Sequence, residues 1–227
     1  TTDTFTIVLN AQPASNVVIA ISSSDTGEAT VNSPLTFTPA NWNSAQTVTV
    51  TGVDDNIIDG TITSTLTISV VDALSDNDFD GVANQTVSAT TTDNDTAGFT
   101  VTQSGGATSV DESGTTDTFT VVLDAQPTSN VVLTVTSSDT GEATVNSPLT
   151  FTAANWDTPQ TVTVTGVNDG SVVDGNQTST VTVSVNDGSS NDSFDPLADQ
   201  TVSVTTTDND VPGFTVAESG GSTSVNE

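Results

Sequence analysis

Carboxylates are the only side chains in this sequence equipped for ionic or acid–base chemistry. Its 227 residues include 24 Asp and 5 Glu but no Lys, Arg, His, Cys, Met or Tyr, for a formal charge of −29. Thiolate and imidazole metal sites, disulfides, Schiff bases and Ser/His/Asp triads are thereby excluded, and an enzyme is not expected. No side-chain ion pair can form, so the counter-charge must come from solution. Such a surface repels nucleic acid and anionic lipid, which leaves multivalent cations as the natural complement. Hard oxygen donors in a flexible, crowded set suit Ca²⁺ better than Mg²⁺, which keeps its waters, or Zn²⁺, which prefers N and S.

The elements that must position these acids repeat. TTDTFTIVLNAQPASNVV from Thr1 returns as TTDTFTVVLDAQPTSNVV from Thr115, and SSDTGEATVNSPLTFT from Ser23 returns from Ser137. One extra residue enters between GVDDNIIDG and GVNDGSVVDG, after which TTTDND at 90–95 matches 205–210 and SVDE at 109–112 matches SVNE at 224–227. Self-similarity at a domain-sized period predicts a tandem array of whole domains. Within one period the apolar residues alternate: Phe119, Val121 and Leu123, then Val131, Leu133 and Val135, then Val162 and Val164, then Val181, Val183 and Val185, then Val202 and Val204. Period two, with Thr and Ser between, is the signature of half-buried strands. With 47 Thr and mostly Val, Ile, Leu and Phe as apolar residues, the composition forms β-structure rather than disorder. Strands are expected at 98–110 (broken near Gly105 and Gly106), 116–123, 130–136, 149–152, 160–167, 177–185 and 200–207. Seven short strands in about 115 residues predict an all-β fold of tandem seven-stranded antiparallel Ig-like sandwiches. No apolar run reaches the roughly 18 residues of a membrane span, so this segment is not expected to insert in a membrane.

Strand parity then gathers the acids. The loops after the first, third, fifth and seventh strands share one end and carry Asp111, Glu112, Asp139, Glu142, Asn168, Asp169, Asp174, Asp208 and Asp210. Asp124, Asp157, Asp187, Asp192 and Asp195 fall at the other end. Asp3, Asp117 and Asp124 read as ordinary turn and surface acids. Asp-Thr-Gly at 25–27 and 139–141 spells an aspartic protease signature in polar, Ser-rich surroundings. Asp76, Asp78, Asp80 and Gly81 imitate the start of an EF-hand loop, but Val87 stands where its acidic twelfth residue belongs. Neither motif has its expected context. Thr-x-Thr runs such as Thr161, Thr163 and Thr165 imitate an ice-binding array but are also ordinary outward strand filling. The sequons at Asn84, Asn94, Asn176 and Asn191 are expected by chance in so Thr-rich a chain.

Taken together, SVDESG closing the first strand, TFTVVL, LTFTAANWDTPQTVTVTGVND, the later acid Asp174 and the closing TDND resemble a Calx-β domain. The resemblance covers 98–210, and 1–95 apart from the first strand. It implies the fold named for the Ca²⁺-binding domains of sodium/calcium exchangers, which is also widespread in large bacterial surface proteins. The Asn-Trp pairs, Asn41-Trp42 and Asn155-Trp156, look like the bacterial kind. By position, the resemblance implies Ca²⁺ ligands at Glu112 and, for a following domain, Glu227. It further implies Asp54 and Asp55, with Asn168 and Asp169 as counterparts, then Asp59 and Asp174, and Asp93, Asp95, Asp208 and Asp210. The remaining ligand is Asp25 or Glu28 in the first copy and Asp139 or Glu142 in the second.

The resulting expectation is a calcium-stiffened repeat segment of an extracellular stalk or filament at a cell surface, whose partners are neighbouring copies of itself. Residues 1–95 would be a sandwich without its first strand, 96–210 a complete one, and 211–227 the first strand of the next. A window on a longer covalent array satisfies both ends, and so does head-to-tail exchange of the first strand between subunits. The alternative reading is an adhesin module that grips carbohydrate or ice, which would need an exposed aromatic cluster.

Overall fold

The computed structural model describes residues 1–227 except Ser219 and Ser222. It divides into two units, Thr1–Thr96 and Ala97–Glu227. Unit 1 contains β1 (Thr2–Ile7), β2 (Val17–Ser23), β3 (Ala29–Val31), β4 (Leu35–Phe37), β5 (Gln46–Gly52), β6 (Ile62–Val70) and β7 (Gln85–Thr91). They form two antiparallel sheets, ordered β1-β5-β3 and β4-β2-β6-β7. Between them lies a core that includes Val17, Ile19, Phe37, Val48 and Leu66, one face of each strand's alternation.

Unit 2 repeats this plan and adds to it. Its strands are β8 (Phe99–Gln103), β9 (Thr108–Asp111), β10 (Thr116–Leu123), β11 (Val131–Ser137), β12 (Ala143–Val145), β13 (Leu149–Phe151), β14 (Gln160–Gly166), β15 (Gln177–Val185) and β16 (Gln200–Thr207). The sheets run β12-β14-β10-β8 and β13-β11-β15-β16-β9. The all-β sandwich expected from the alternation is therefore present, with two differences. Ala143–Val145, and Ala29–Val31 in unit 1, form an extra three-residue strand too short for alternation to register. The first expected strand also splits between the two sheets. Its first half pairs antiparallel with β10, and its second half pairs parallel with β16, from Val204 opposite Thr108 to Thr207 opposite Asp111. Gly105 and Gly106 permit the crossover, at φ 68° and 82°, where a Cβ would be strained.

That crossing strand is held by side chains that the sequence presents as plain surface acids. Asp117 accepts the Ser109 amide at 2.9 Å, the Ser104 hydroxyl at 2.7 Å and the Thr118 amide at 2.7 Å. Asp124 accepts the Thr100 hydroxyl at 2.8 Å, while its own amide donates to the Gly98 carbonyl at 2.9 Å. Both stay at the surface and outside the carboxylate cluster, as read, and in addition each ties the crossing strand in place. Parity along a strand tells which face a residue takes, but not which neighbouring backbone arrives there.

The Ser109 amide, followed by the Ser104 hydroxyl, holds the Asp117 carboxyl below the usual aspartate range. A lowered pKa stabilises the fold above the ordinary value, and that contribution fades as pH falls through the lowered one. Asp117→Ala should therefore cost about 1–3 kcal/mol at neutral pH and much less at about pH 2.5. Denaturant titration of both proteins at the two pH values measures this, and an equal loss at both would argue against an ionic clasp.

Candidate metal centre

The end of unit 2 where the loops after β9, β11, β14 and β16 meet collects carboxylates around one glutamate. Glu112 follows β9 directly, so the parallel pairing with β16 carries it inward, and it is only 1% exposed. Its Oε2 accepts the Asn209 amide at 3.3 Å, whereas its Oε1 is buried without any hydrogen-bond partner. Two ligand sets share it, Glu112 with Asp208 and Asp210 and Glu112 with Asp169 and Asp174. In each set, carboxylate oxygens lie within 4.8 Å of one another.

Glu112 is not the only acid left unsatisfied. Glu142 Oε2, Asp169 Oδ1 and Asp210 Oδ2 are also buried without partners. An unpaired buried polar atom is costly, and an unpaired buried charge more so. Burial pushes the Glu112 carboxyl up, offset by the Asn209 amide and reinforced by Asp169, Asp208 and Asp210. Glu142 is raised for the same first reason, then by Asp174, Asp139, Glu112 and Asp169. Only some of the acids here are satisfied by the chain itself. Asp208 accepts the Gly175 amide at 2.8 Å and the Asp210 amide at 2.7 Å, which fixes the loops against each other.

The structure brings together most of the residues picked out in the sequence and leaves a few aside. Glu142 is buried and faces the cluster. Asp139 is exposed, and its Oδ1 caps its own turn by accepting the Gly141 amide at 2.9 Å. Asn168 is likewise exposed, with its Oδ1 taken by the Gly170 amide at 2.9 Å. Unit 1 repeats the split: Asp25 caps Gly27 at 2.9 Å, while Glu28 is raised by burial and then by Asp59, Asp55, Asp25 and Asp93. Asp93 accepts the Gly60, Asp59 and Asp95 amides. Asp95 is raised by burial and by the charges of Asp93, Asp54, Asp55 and Asp59. Glu28, Asp55, Asp59, Asp93 and Asp95 line a cavity of about 20 Å³, room for roughly one water-sized occupant. Glu227 is exposed in the tail.

The other motifs resolve into local structure. The Asp-Thr-Gly acids cap turns in separate units. Asp76, the first acid of the loop that imitates an EF-hand, is buried, and its carboxylate accepts the amides of Ala14, Ser15 and Asp78. Asp195, at the other end of unit 2, is raised by burial and by Asp187 and Asp192. What the sequence did not announce is the role of the Asn209 amide and of Gly166. A Cβ at Gly166 would sit 2.0 Å from the Asp111 carbonyl, so only glycine lets the strand that carries Glu112 pass. The one available signal was the recurrence of that glycine as Gly52.

No family model and no curated protein matches the sequence. Several solved structures do match, at a distance. Domains 1–6 of the surface layer protein SbsC are 19% identical over 84% of this chain, with a TM-score of 0.38, and the chain spans 20% of that structure's length. A protein of unknown function from Porphyromonas gingivalis W83 is 10% identical over 91% of both chains, with a TM-score of 0.32. The calcium binding domain CBD12 of CALX1.1 is 12% identical over 80% of this chain and 73% of its own, with a TM-score of 0.31.

Proposed function

We propose that this chain is a structural repeat segment of an extracellular stalk or filament at a cell surface, and that Ca²⁺ bound among the loop carboxylates stiffens each sandwich. The observation that carries the reading is Glu112. It is a buried acid with an unpartnered oxygen at the centre of two carboxylate sets, in a chain that has no cationic side chain to offer. Six to eight oxygens around one flexible site suit Ca²⁺, and Glu112, Glu142, Asp169, Asp174, Asp208 and Asp210 would hold it in unit 2. Glu28, Asp55, Asp59, Asp93 and Asp95 are the corresponding residues in unit 1, with Asp54 exposed beside them. The role is mechanical because the charge that the loops bring together can be balanced only from outside the chain. The adhesin alternative needs an exposed aromatic platform, and among the described residues the one exposed aromatic is Phe214, at 91%.

Calcium should therefore stabilise the fold. A ligand at a hundred times its Kd contributes about 2.7 kcal/mol, which for a domain of this size raises Tm by roughly ten degrees or more. Calorimetry in Ca²⁺ and in EDTA tests this, and superimposable melting curves would sink the metal reading.

Glu112→Gln separates a metal ligand from an ordinary buried acid. In EDTA the variant should melt higher than the parent, because it removes an unpaired buried charge. In Ca²⁺ it should melt lower, with affinity down by roughly tenfold or more. The same sign in both buffers would contradict the assignment.

The raised carboxyls also fix a pH dependence. A glutamate whose folded pKa lies above its ordinary 4.5 favours the fold below that value and loses the contribution as pH rises through the raised one. In EDTA, Tm should accordingly rise as pH is lowered from about 7 to about 5. In Ca²⁺ it should fall over the same range, because protons then compete with the metal.

A further inference from the structure

The loops that carry the acids also carry a chemical hazard. Five aspartates are followed by glycine: Asp59-Gly60, Asp80-Gly81, Asp169-Gly170, Asp174-Gly175 and Asp187-Gly188. At such a step the glycine amide nitrogen can attack the Cγ of the preceding protonated carboxyl, since no Cβ hinders its approach. The amide proton passes to solvent, the carboxyl hydroxyl leaves as water, and a cyclic imide closes. Water then opens the imide at either carbonyl. One opening restores aspartate, and the other leaves isoaspartate, with the chain running through the former side chain and no net change of mass. Sequence alone gives the five steps no ranking.

The fold ranks them. Gly60 donates to Asp93 Oδ2 at 2.9 Å, Gly175 to Asp208 Oδ2 at 2.8 Å, and Gly170 to Asn168 Oδ1 at 2.9 Å. Their aspartates, Asp59, Asp174 and Asp169, are the three that belong to the carboxylate sets. Among the described residues, the amides of Gly81 and Gly188 have no hydrogen-bond partner. Asp80 and Asp187 stand outside those sets, in the loops between β6 and β7 and between β15 and β16. Exposure does not separate the two groups, because Asp59 and Asp174 are exposed just as Asp80 and Asp187 are. The difference is whether the attacking nitrogen is free to move. To reach Cγ it must swing about the Cα–C bond of the aspartate, and a held amide must first give up its acceptor. Glycine is required at the held steps: Gly60, Gly170 and Gly175 have φ of 78°, 104° and 78°, where a Cβ is strained. Gly81 and Gly188 lie outside that region, and a Cβ on either would meet nothing closer than 4.0 Å.

We propose that Asp80 and Asp187 are sites of spontaneous isoaspartate formation, and that Asp93, Asp208 and Asn168 guard Asp59, Asp174 and Asp169 from the same reaction by holding the glycine amide that would attack. The turns of the carboxylate loops need glycine in the left-handed conformation, so an isomerisation-prone step is built into each. Isomerisation there would lengthen the backbone by one methylene and shift the carboxylate from the side chain to the Cα, displacing a ligand. Asp93 and Asp208 thus have a second task besides fixing the loops against each other. Asn168, exposed and outside the carboxylate sets, takes the same role for the acid that follows it. The guard needs no bound cation. Only its benefit to a cation site rests on the calcium reading above.

Ageing the full chain in EDTA, in Ca²⁺ and in urea tests the proposal, with isoaspartate located residue by residue by electron-transfer fragmentation of its peptides. In EDTA, isoaspartate should build up at Asp80 and Asp187. At Asp59, Asp169 and Asp174 it should form roughly tenfold more slowly, the ratio that one hydrogen bond of about 1.4 kcal/mol converts to. In urea, where every amide is released, the five rates should converge. Gly81→Ala should suppress the reaction at Asp80 alone. Asp208→Ala should bring Asp174 up to the rate of Asp80 while Asp169, in the same loop but held by Asn168, stays slow. Asp93→Ala should do the same for Asp59 in unit 1. Equal rates at Asp80 and Asp174 in EDTA would overturn the guard, as would a difference that persists in urea or an Asp174 unmoved by Asp208→Ala. An Asp208→Ala chain in which Asp169 speeds up as much as Asp174 would point to a loosened loop in place of a lost acceptor, and would overturn it too. No isoaspartate at Asp80 or Asp187 in EDTA, when the urea sample has formed it, would overturn both as modification sites. Slow rates at the held steps in Ca²⁺ but not in EDTA would overturn the guard and support the calcium reading. Slow rates in EDTA, in a chain whose melting curve ignores Ca²⁺, would support the guard and refute the calcium reading.

Discussion

In a chain with 29 acidic side chains and no basic one, every carboxylate must be balanced by backbone amides, by hydroxyls, by water or by a cation from outside. Most structural detail at the loops follows from how each acid meets that constraint. Asp76, Asp93, Asp111 and Asp117 are held below the usual range by hydrogen bonds from backbone amides or hydroxyls. They act as clasps, each tying a loop or strand crossing in place through donors of the chain itself. Glu112, Glu142, Glu28, Asp59 and Asp95 are pushed the other way, first by burial and then by the charges of neighbouring carboxylates. The division follows the local supply of donors, and in unit 1 the clasping Asp93 lines the same cavity as the raised Glu28, Asp59 and Asp95. Clasping acids sit where amides converge, and raised acids sit where loop ends crowd together with too few donors. Aspartate suits the first task because its short side chain reaches amides within two residues of itself, which is why it outnumbers glutamate in the turns.

The crossing strand of unit 2 joins this electrostatic problem to ordinary packing. Its apolar residues Phe99 and Val110 close the gap between the two sheets. A fully buried side chain of this kind contributes about 1.5–3 kcal/mol, so the strand is anchored by its own burial as well as by Asp117 and Asp124. The same burial carries Glu112 into the carboxylate cluster, one residue beyond the strand's end. Hydrophobic closure thus supplies the free energy that holds an unpaired acid out of water, and a cation at that point would relieve both costs together. Unit 1 shows the sandwich without that strand: its core is recognisable, but its edge residues are less buried and its acids lack a central glutamate.

Much of this was already determined by the sequence. Period-two alternation placed the main strands of unit 2 to within a residue or two, because a sheet with one dry face demands it. The repeat placed the acidic loops at matching positions, and strand parity sent those of unit 2 to a common end. The recurrence of GFTV and SGG in the tail was legible as a second copy of the segment that crosses between the sheets of unit 2.

Tertiary structure decided what depends on neighbours distant in the chain. That β9 pairs parallel with β16 cannot be read from alternation, which is the same for either direction. Alternation also passes over Ala143–Val145, since three residues hold barely one period. Between Asp139 and Glu142 the sequence left two candidates. The fold separates them because aspartate is short enough to bond the amide two residues on, while glutamate reaches past the turn into the cluster. Asp117 looked like a surface acid because its partners, Ser104 and Ser109, become its neighbours only when the chain kinks at Gly105 and Gly106. Sequence sets which residues can face inward. Which of them meet is settled only by the path of the backbone between the sheets.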